Sequence, residues 1–494
     1  MISTRDQILV AALVILAVAL VPIWSVTYPP LTDYPNHLAR MHVLMMNGRD
    51  EFLNRYYVIR WAAIPNLAMD LIVPFLGRLV GLETAGKLFL SAILILLFSG
   101  TLALHRAIHR TWSAWPLIAG LLLFNPFFLW GFVNFLFGLG VALWLSALWI
   151  HFRDRRLSWF VFPPAALGLF FMHLMPFGIY LVTIGAYEAG LALRDRIDIV
   201  SIGRRGAQIA SQALPALAVF LAASPTRGGE SGALFSELGS KFDAFRYMFA
   251  NYVPFLDFKL TFIPVLVLLI VGLGTGRLKI DCRMLFPIGA MVLIHFAIPN
   301  TLLTAGGAFR RFSEPIGLLL VASTSLHIRP RKALTALALA IGSMFLTRVA
   351  VLERVWLRQD QELAKLRDML GALPKGARLL PLSFFPGNVS DDYRTHFASM
   401  AVIDRSAFIP SMFAFAQQQP MLFSQRAKDI MHGEVPGKTA FARGAAPDWR
   451  TLTEEYDYIL LTGSRYLKEP LPTELKEVAE NGDFKLFEVA GRTR

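Results

Sequence analysis

The chain has a single cysteine, Cys282, among its 494 residues. An intrachain disulfide is excluded, and so are thiolate zinc or iron–sulfur sites built from this chain alone. Cys282 reads as an inert loop thiol. Charged residues are scarce as well, at 17%. Acids are fewer than bases: 35 Asp and Glu stand against 48 Lys and Arg, for a formal charge of +13. No basic stripe or RNA-binding motif accompanies that excess, so nucleic acid is not expected as a partner. The two halves show no evident internal repeat.

Apolar residues are abundant instead. They make up 55% of the chain, with a mean hydropathy of +0.51. A soluble globular protein is rarely this apolar. The fold class expected is a polytopic α-helical membrane protein with a small C-terminal α/β domain. Apolar runs occur near 7–27, 63–81, 86–104, 114–129, 131–152, 157–173, 175–193, 206–223, 260–276, 284–299, 314–328 and 332–351. Many approach the roughly 20 residues a helix needs to cross a bilayer. The first run follows Arg5, lacks a small-residue cleavage site and precedes Tyr28-Pro29-Pro30. It reads as a retained span, not a cleaved signal peptide.

Loop charge orders these runs. Basic clusters lie at Arg106 to Arg110, Arg153 to Arg156, Arg194 to Arg205, Arg277 to Arg283 and Arg329 to Lys332. If all are cytoplasmic, together with Arg5, consecutive clusters must be separated by an even number of crossings. The stretch from Arg5 to Arg106 holds three candidate runs and breaks that parity. The weakest is 63–81, which carries Asp70, Arg78, Pro65 and Pro74. Charges inside a bilayer are costly, so 63–81 reads as a helix lying on the outer surface. A true span there would put Arg106 and Arg110 outside. About eleven spans remain, with a cytoplasmic N-terminus and an extracytoplasmic C-terminus.

Residues 1–351 then form the membrane domain. Its first outer loop, 28–85, carries two surface helices. Residues 352–494 form the extracytoplasmic domain. There, Leu357 to Leu373 reads as a helix. Leu379 to Phe384, Met400 to Ile403, Tyr456 to Leu461 and Phe484 to Val489 read as strands. Thr451 to Glu455 and Thr473 to Glu480 read as helical. The irregular stretch 407–450 has the character of a covering loop. Asn388-Val389-Ser390 matches a glycosylation triplet, and Asp391-Asp392 reads as a solvated turn.

The segment richest in chemistry is Thr32-Asp33-Tyr34-Pro35-Asn36-His37-Leu38-Ala39-Arg40, directly after the first span. Pro35 suits the first turn of a helix. That helix would place His37 and Arg40 on one side, with Asp33 at its entry. A plain cap would explain Asp33 alone, but not its neighbours. The same topology brings other polar residues to the outer face. Asn134 stands at the start of one span and His173 at an outer turn. Arg310 and Arg311 lie in an outer loop, against the positive-inside trend. Their planar forks suit phosphate oxygens. A long outer loop adds Glu230, Glu237, Lys241, Asp243 and Arg246.

A retained first span, an outer loop opening on an acidic surface helix, a second surface helix and an extracytoplasmic C-terminal domain together resemble the GT-C superfamily of membrane glycosyltransferases. The resemblance covers the whole chain in layout and rests in motif on Asp33. It implies a polyprenyl-phosphate-linked sugar as donor and a glycan, lipid or protein acceptor. The absence of disulfides fits a bacterial inner membrane, with the C-terminal domain periplasmic. By the same resemblance Asp33 serves as catalytic base, or as an acceptor-binding or metal-binding group, and His37 is the catalytic candidate beside it. Arg40, Asn134, His173, Arg310 and Arg311 become substrate-binding residues. No metal ligands are expected: many members carry a second acid after the aspartate, where this chain has Tyr34. A divalent cation is the one cofactor the family pattern leaves open. The alternatives are a transporter or flippase for a lipid-linked or anionic substrate, and a non-catalytic membrane scaffold.

Overall fold

The computed structural model describes residues 4–195, 198–229, 235–303, 306–328, 330–384, 393–431, 449–467 and 470–491. Glu230, the Asn388 triplet, Asp391-Asp392 and residues 432–448 of the irregular stretch lie outside the described residues.

The first elements are α1 (Thr4–Ser25), α2 (Tyr34–Met46), α3 (Glu51–Tyr56), β1 (Tyr57–Ile59), α4 (Ala68–Val80) and α5 (Leu82–His109). There follow α6 (Pro126–Trp130), α7 (Val133–Phe152), α8 (Ser158–Met172), α9 (Leu174–Asp195), α10 (Ile199–Ala223) and α11 (Leu238–Tyr247). Next come α12 (Ile263–Gly274), β2 (Leu278–Ile280), α13 (Leu285–Ala297), α14 (Ser313–Ser323), β3 (Thr324–Leu326) and α15 (Arg331–Leu370). The last part holds β4 (Leu379–Ser383), α16 (Met400–Arg405), β5 (Met421–Phe423) and α17 (Gln425–Met431). The helix Trp449–Glu455 then leads to β6 (Tyr458–Thr462), β7 (Leu475–Asn481) and β8 (Phe484–Val489).

The chain forms two compact units. A helical unit comprises Met1–Ser25, Ala62–Ala68 and Leu88–Val355. A mixed unit comprises Val26–Trp61, Met69–Lys87 and Trp356–Arg494. The second grouping joins most of the first loop to the C-terminal residues, whereas the sequence suggested a single cut after residue 351.

Among the described residues, seven helices are long and apolar enough to cross a membrane: α1, α5, α7, α9, α10, Phe255–Gly274 and α15. Shorter apolar stretches are Trp115–Trp130, Ser158–Met172 and Cys282–Ala297. Two expected spans differ in form. Residues 114–129 are not one regular helix: a 3-10 helix, Trp115–Leu122, is followed by the short α6. Asn125 divides them, its side chain accepting from the Phe128 amide, and Pro126 opens α6. At 314–328 the helix stops at Ser323 and β3 takes over, pairing antiparallel with β2. The 63–81 stretch yields α4, of 13 residues. That length rises only about 20 Å, short of the roughly 30 Å hydrocarbon core. Leu71, Phe75 and Leu79 are exposed along one stripe of α4, while Asp70 is buried.

In the helical unit, α7, α8, α9 and α10 share a core of Trp149, Phe170, Tyr180 and Ala216. The backbones of α5 and α7 approach closely at Gly140, where a Cβ would stand 2.6 Å from the Leu96 Cβ. Small residues permit such approaches between membrane helices. Within the mixed unit, four strands are ordered β4-β6-β8-β7. β4 and β6 are parallel, and the other pairs are antiparallel. Three expected strands appear as β4, β6 and β8. Residues 400–403 are instead the start of α16, because periodicity cannot separate a short buried strand from a buried helical turn. Residues 473–480 are not helical either. β7 runs through them and pairs with β8. The turn between them uses Gly482 at φ +64, so hairpin pairing overrides the helix propensity of Glu, Lys and Ala.

Candidate functional site

In the mixed unit, Asp33 occupies the N-cap position of α2, yet its side chain makes no capping hydrogen bond. Its Oδ1 lies 3.4 Å from His396 Nε2 instead, and its side chain is 23% exposed. The orientation of His396 follows from backbone outward. The Phe413 amide donates to Asn36 Oδ1 at 2.9 Å. Asn36 Nδ2 donates to the Ser411 carbonyl at 2.9 Å. These two bonds fix which end of the amide is nitrogen, and that nitrogen faces His396 Nδ1 at 3.2 Å. An amide N–H can only donate, so Nδ1 accepts and the neutral ring carries its proton on Nε2. That N–H faces Asp33.

A second arm runs through Arg40. It is 1% exposed and grips Asp70 with both ends of its fork, Nε to Oδ1 at 2.8 Å and Nη2 to Oδ2 at 3.1 Å. Its Nη1 meets His37 Nδ1 at 3.1 Å. Arginine has no acceptor, so His37 too keeps its proton on Nε2 when neutral. Both imidazoles pack against the Phe413 ring, with centroids 5.4 and 4.9 Å away. Arg40, expected to bind substrate, is thus turned inward and positions His37. Burial raises the Tyr34 phenol well above its usual range, and Glu83 adds to the effect. Burial likewise lowers the His42 imidazole, against the pull of Asp50.

Asn134, His173, Arg310 and Arg311 belong to the helical unit. Asn134 Nδ2 donates to the Asn66 carbonyl at 2.8 Å and to its side-chain oxygen at 3.0 Å. His173 ends α8 in an extended conformation, and its Nδ1 accepts from the Met175 amide at 3.1 Å. The backbone of 65–67 is tied to the same corner by Leu67 N to Phe171 O at 2.9 Å and Leu174 N to Pro65 O at 3.0 Å. The Arg311 guanidinium lies 4.2 Å from the Phe132 ring centroid, and Nη2 donates to the Gly306 carbonyl. Arg310 lies 5.2 Å from the Tyr247 ring centroid. Glu314 is fully buried, with the Asn125 side chain as its polar neighbour. A carboxyl so placed inside a membrane protein marks a functional position more often than a structural one.

No protein-family model matches the sequence, and no curated protein does. Among solved structures, the chain is similar to ArnT from Cupriavidus metallidurans bound to undecaprenyl phosphate. The likeness has a TM-score of 0.55 at 10% identity and covers 99% of each chain. The two chains share a fold. The helix expected after Pro35 is α2, with Asp33 at its N-cap and with His37 and Arg40 in contact at 3.1 Å. Sequence reasoning missed Asp70 as the partner of Arg40, and missed His396 and Phe413 altogether. Asp70 could have been found as an acid opposite a lone arginine in the same loop. Nothing in the sequence marks His396, 360 residues from Asn36. Among the described residues no group of three or more His, Cys, Asp or Glu could hold a metal ion. Tyr34, directly after Asp33, is a buried phenol and supplies no carboxylate there.

Proposed function

We propose that the chain is an integral-membrane glycosyltransferase. It moves a sugar from a polyprenyl-phosphate donor to a hydroxyl acceptor on the extracytoplasmic face, with inversion at the anomeric carbon. The observation that carries this reading is the state of Asp33. It starts a helix without capping it, and His396 holds it by a chain of hydrogen bonds anchored on the Phe413 amide. The fold, shared with a protein solved with undecaprenyl phosphate, supports a polyprenyl-phosphate donor. A lipid-bound donor cannot leave the membrane, so its chemistry belongs at the surface, in keeping with a bacterial inner-membrane enzyme whose C-terminal residues are periplasmic.

In this mechanism Asp33 takes the proton of the acceptor hydroxyl. The acceptor oxygen bonds to the anomeric carbon as the carbon–oxygen bond to phosphate breaks, and the electron pair leaves on polyprenyl phosphate. The Nε2 protons of His396 and His37 orient the carboxylate and the acceptor. In the helical unit, Arg310 and Arg311 are the phosphate-binding candidates. Asn134 holds Asn66, and His173 packs edge-on against the Phe135 ring that Arg311 also faces.

The test uses purified protein in nanodiscs with a panel of polyprenyl-phosphate sugars, scored for transfer or hydrolysis. Asp33→Asn keeps the shape and removes the base. Transfer is expected to fall by about 10²–10⁴-fold, with unchanged elution and melting temperature. Full activity in Asp33→Asn would remove Asp33 from the mechanism. Failure of the wild-type protein to turn over any such donor would sink the whole reading.

A further inference from the structure

The helical unit contains a cavity of about 1330 Å³ at the end of α7 and α9 remote from Asn134 and His173. Its wall changes character in step along three helices. On α5 the lining residues run Phe98, Leu102, Arg106; on α7 they run Trp144, Leu148, His151. On α9 they run Tyr187, Leu191, Arg194. Spacings of three and four keep each series on one helix face. The rise of 1.5 Å per residue places each basic member roughly 10–12 Å beyond the first apolar one. Arg110, Arg153 and Arg283 join the basic end, and Leu9, Leu13 and Leu16 of α1 line the cavity as well.

The basic end is incompletely neutralised by the protein. Arg153 pairs with Glu188 at 2.8 Å, and Arg283 with Asp281 at 2.7 Å. Arg194 pairs with Asp195 at 3.5 Å. Arg106 lies over the Trp112 ring at 5.8 Å. Neither Arg106 nor Arg110 has a carboxylate partner among the described residues. Two unpaired guanidiniums beside an apolar trough suit a molecule with an anionic head and a hydrocarbon tail.

We propose that this cavity binds an anionic phospholipid, its phosphate held by Arg106 and Arg110 and an acyl chain along the three apolar series. A soluble phosphate would have no use for the apolar wall, and a neutral lipid would leave the two forks without a counter-charge. Basic pockets between membrane helices recognise such headgroups, and the positive-inside pattern places this one in the cytoplasmic leaflet. The proposal does not rest on the transfer reaction.

Cys282 lines the same cavity, is exposed, and is the sole cysteine of the chain. It therefore reports occupancy. The full chain is placed in phosphatidylcholine nanodiscs with increasing phosphatidylglycerol, and the rate of N-ethylmaleimide labelling is followed. Phosphatidylglycerol should slow labelling saturably, and inorganic phosphate should not. The double variant Arg106→Gln/Arg110→Gln should need roughly fivefold more phosphatidylglycerol per arginine removed. Leu148→Trp, which fills the apolar stretch without changing charge, should lose protection independently. Labelling indifferent to phosphatidylglycerol overturns the proposal. So does equal protection by inorganic phosphate, or protection unchanged in both variants.

Discussion

Asp33 and Arg40 stand seven residues apart on the same two turns, and their surroundings separate their roles. Asp33 keeps a side chain 23% exposed, while Arg40 is 1% exposed and locked to Asp70. Removing one partner of a buried ion pair leaves the other charge uncompensated. Asp70→Asn should therefore destabilise the protein by about 3–5 kcal/mol, read as a lowered melting temperature in detergent. It should also lower transfer, because Arg40 sets the tautomer of His37 through its 3.1 Å contact. A variant as stable as wild type would show that Arg40 finds another counter-charge. Spacing alone made Asp33, His37 and Arg40 visible as a group. It could not show that Arg40 faces inward, since side-chain direction depends on what α4 brings opposite.

At the scale of elements, α2 depends on how closely it packs against the start of α5. A Cβ at Gly86 would overlap the Tyr34 hydroxyl and stand 2.9 Å from Leu38 Cδ2. Both contacts lie in the first turns of α2, beside Asp33. Gly86→Val should displace that turn, destabilising by about 1–3 kcal/mol and reducing transfer more than Asp33-independent donor binding. Equal loss of both would point to general unfolding. The charges and prolines of 63–81 predict a surface helix, and the structure forms the 13-residue α4 there. The irregular 115–130 stretch was not legible. Its hydropathy is that of a span, and only Asn125 and Pro126 hint at the break.

At the scale of the molecule, the first loop and the C-terminal residues form one unit. β1 pairs antiparallel with β5, with Val58 opposite Leu422. Directly opposed residues in such a pair lie within the reach of a disulfide. Val58→Cys/Leu422→Cys in a Cys282→Ser background should therefore form an intrachain bond, seen as a mobility shift reversed by reductant. Persistent free thiols under oxidising conditions would refute the pairing. The basic clusters also converge. Arg106, Arg153, Arg194 and Arg283 come from four separate loops or helix ends, and all line one cavity. Charge parity anticipated that shared end.

Composition, run length and loop charge thus determined a polytopic helical protein, set 63–81 apart from the other apolar runs by its charges and prolines, and singled out the acid, Asp33, that follows the first span. These are local or additive properties, readable without knowing what touches what. Only the tertiary structure decided that Asp70 neutralises Arg40, that His396 and Phe413 complete the setting of Asp33, and that 400–403 and 473–480 exchange the expected strand and helix. Each depends on contacts between residues far apart in the chain, or on pairing energies that exceed the weak intrinsic preferences of short segments.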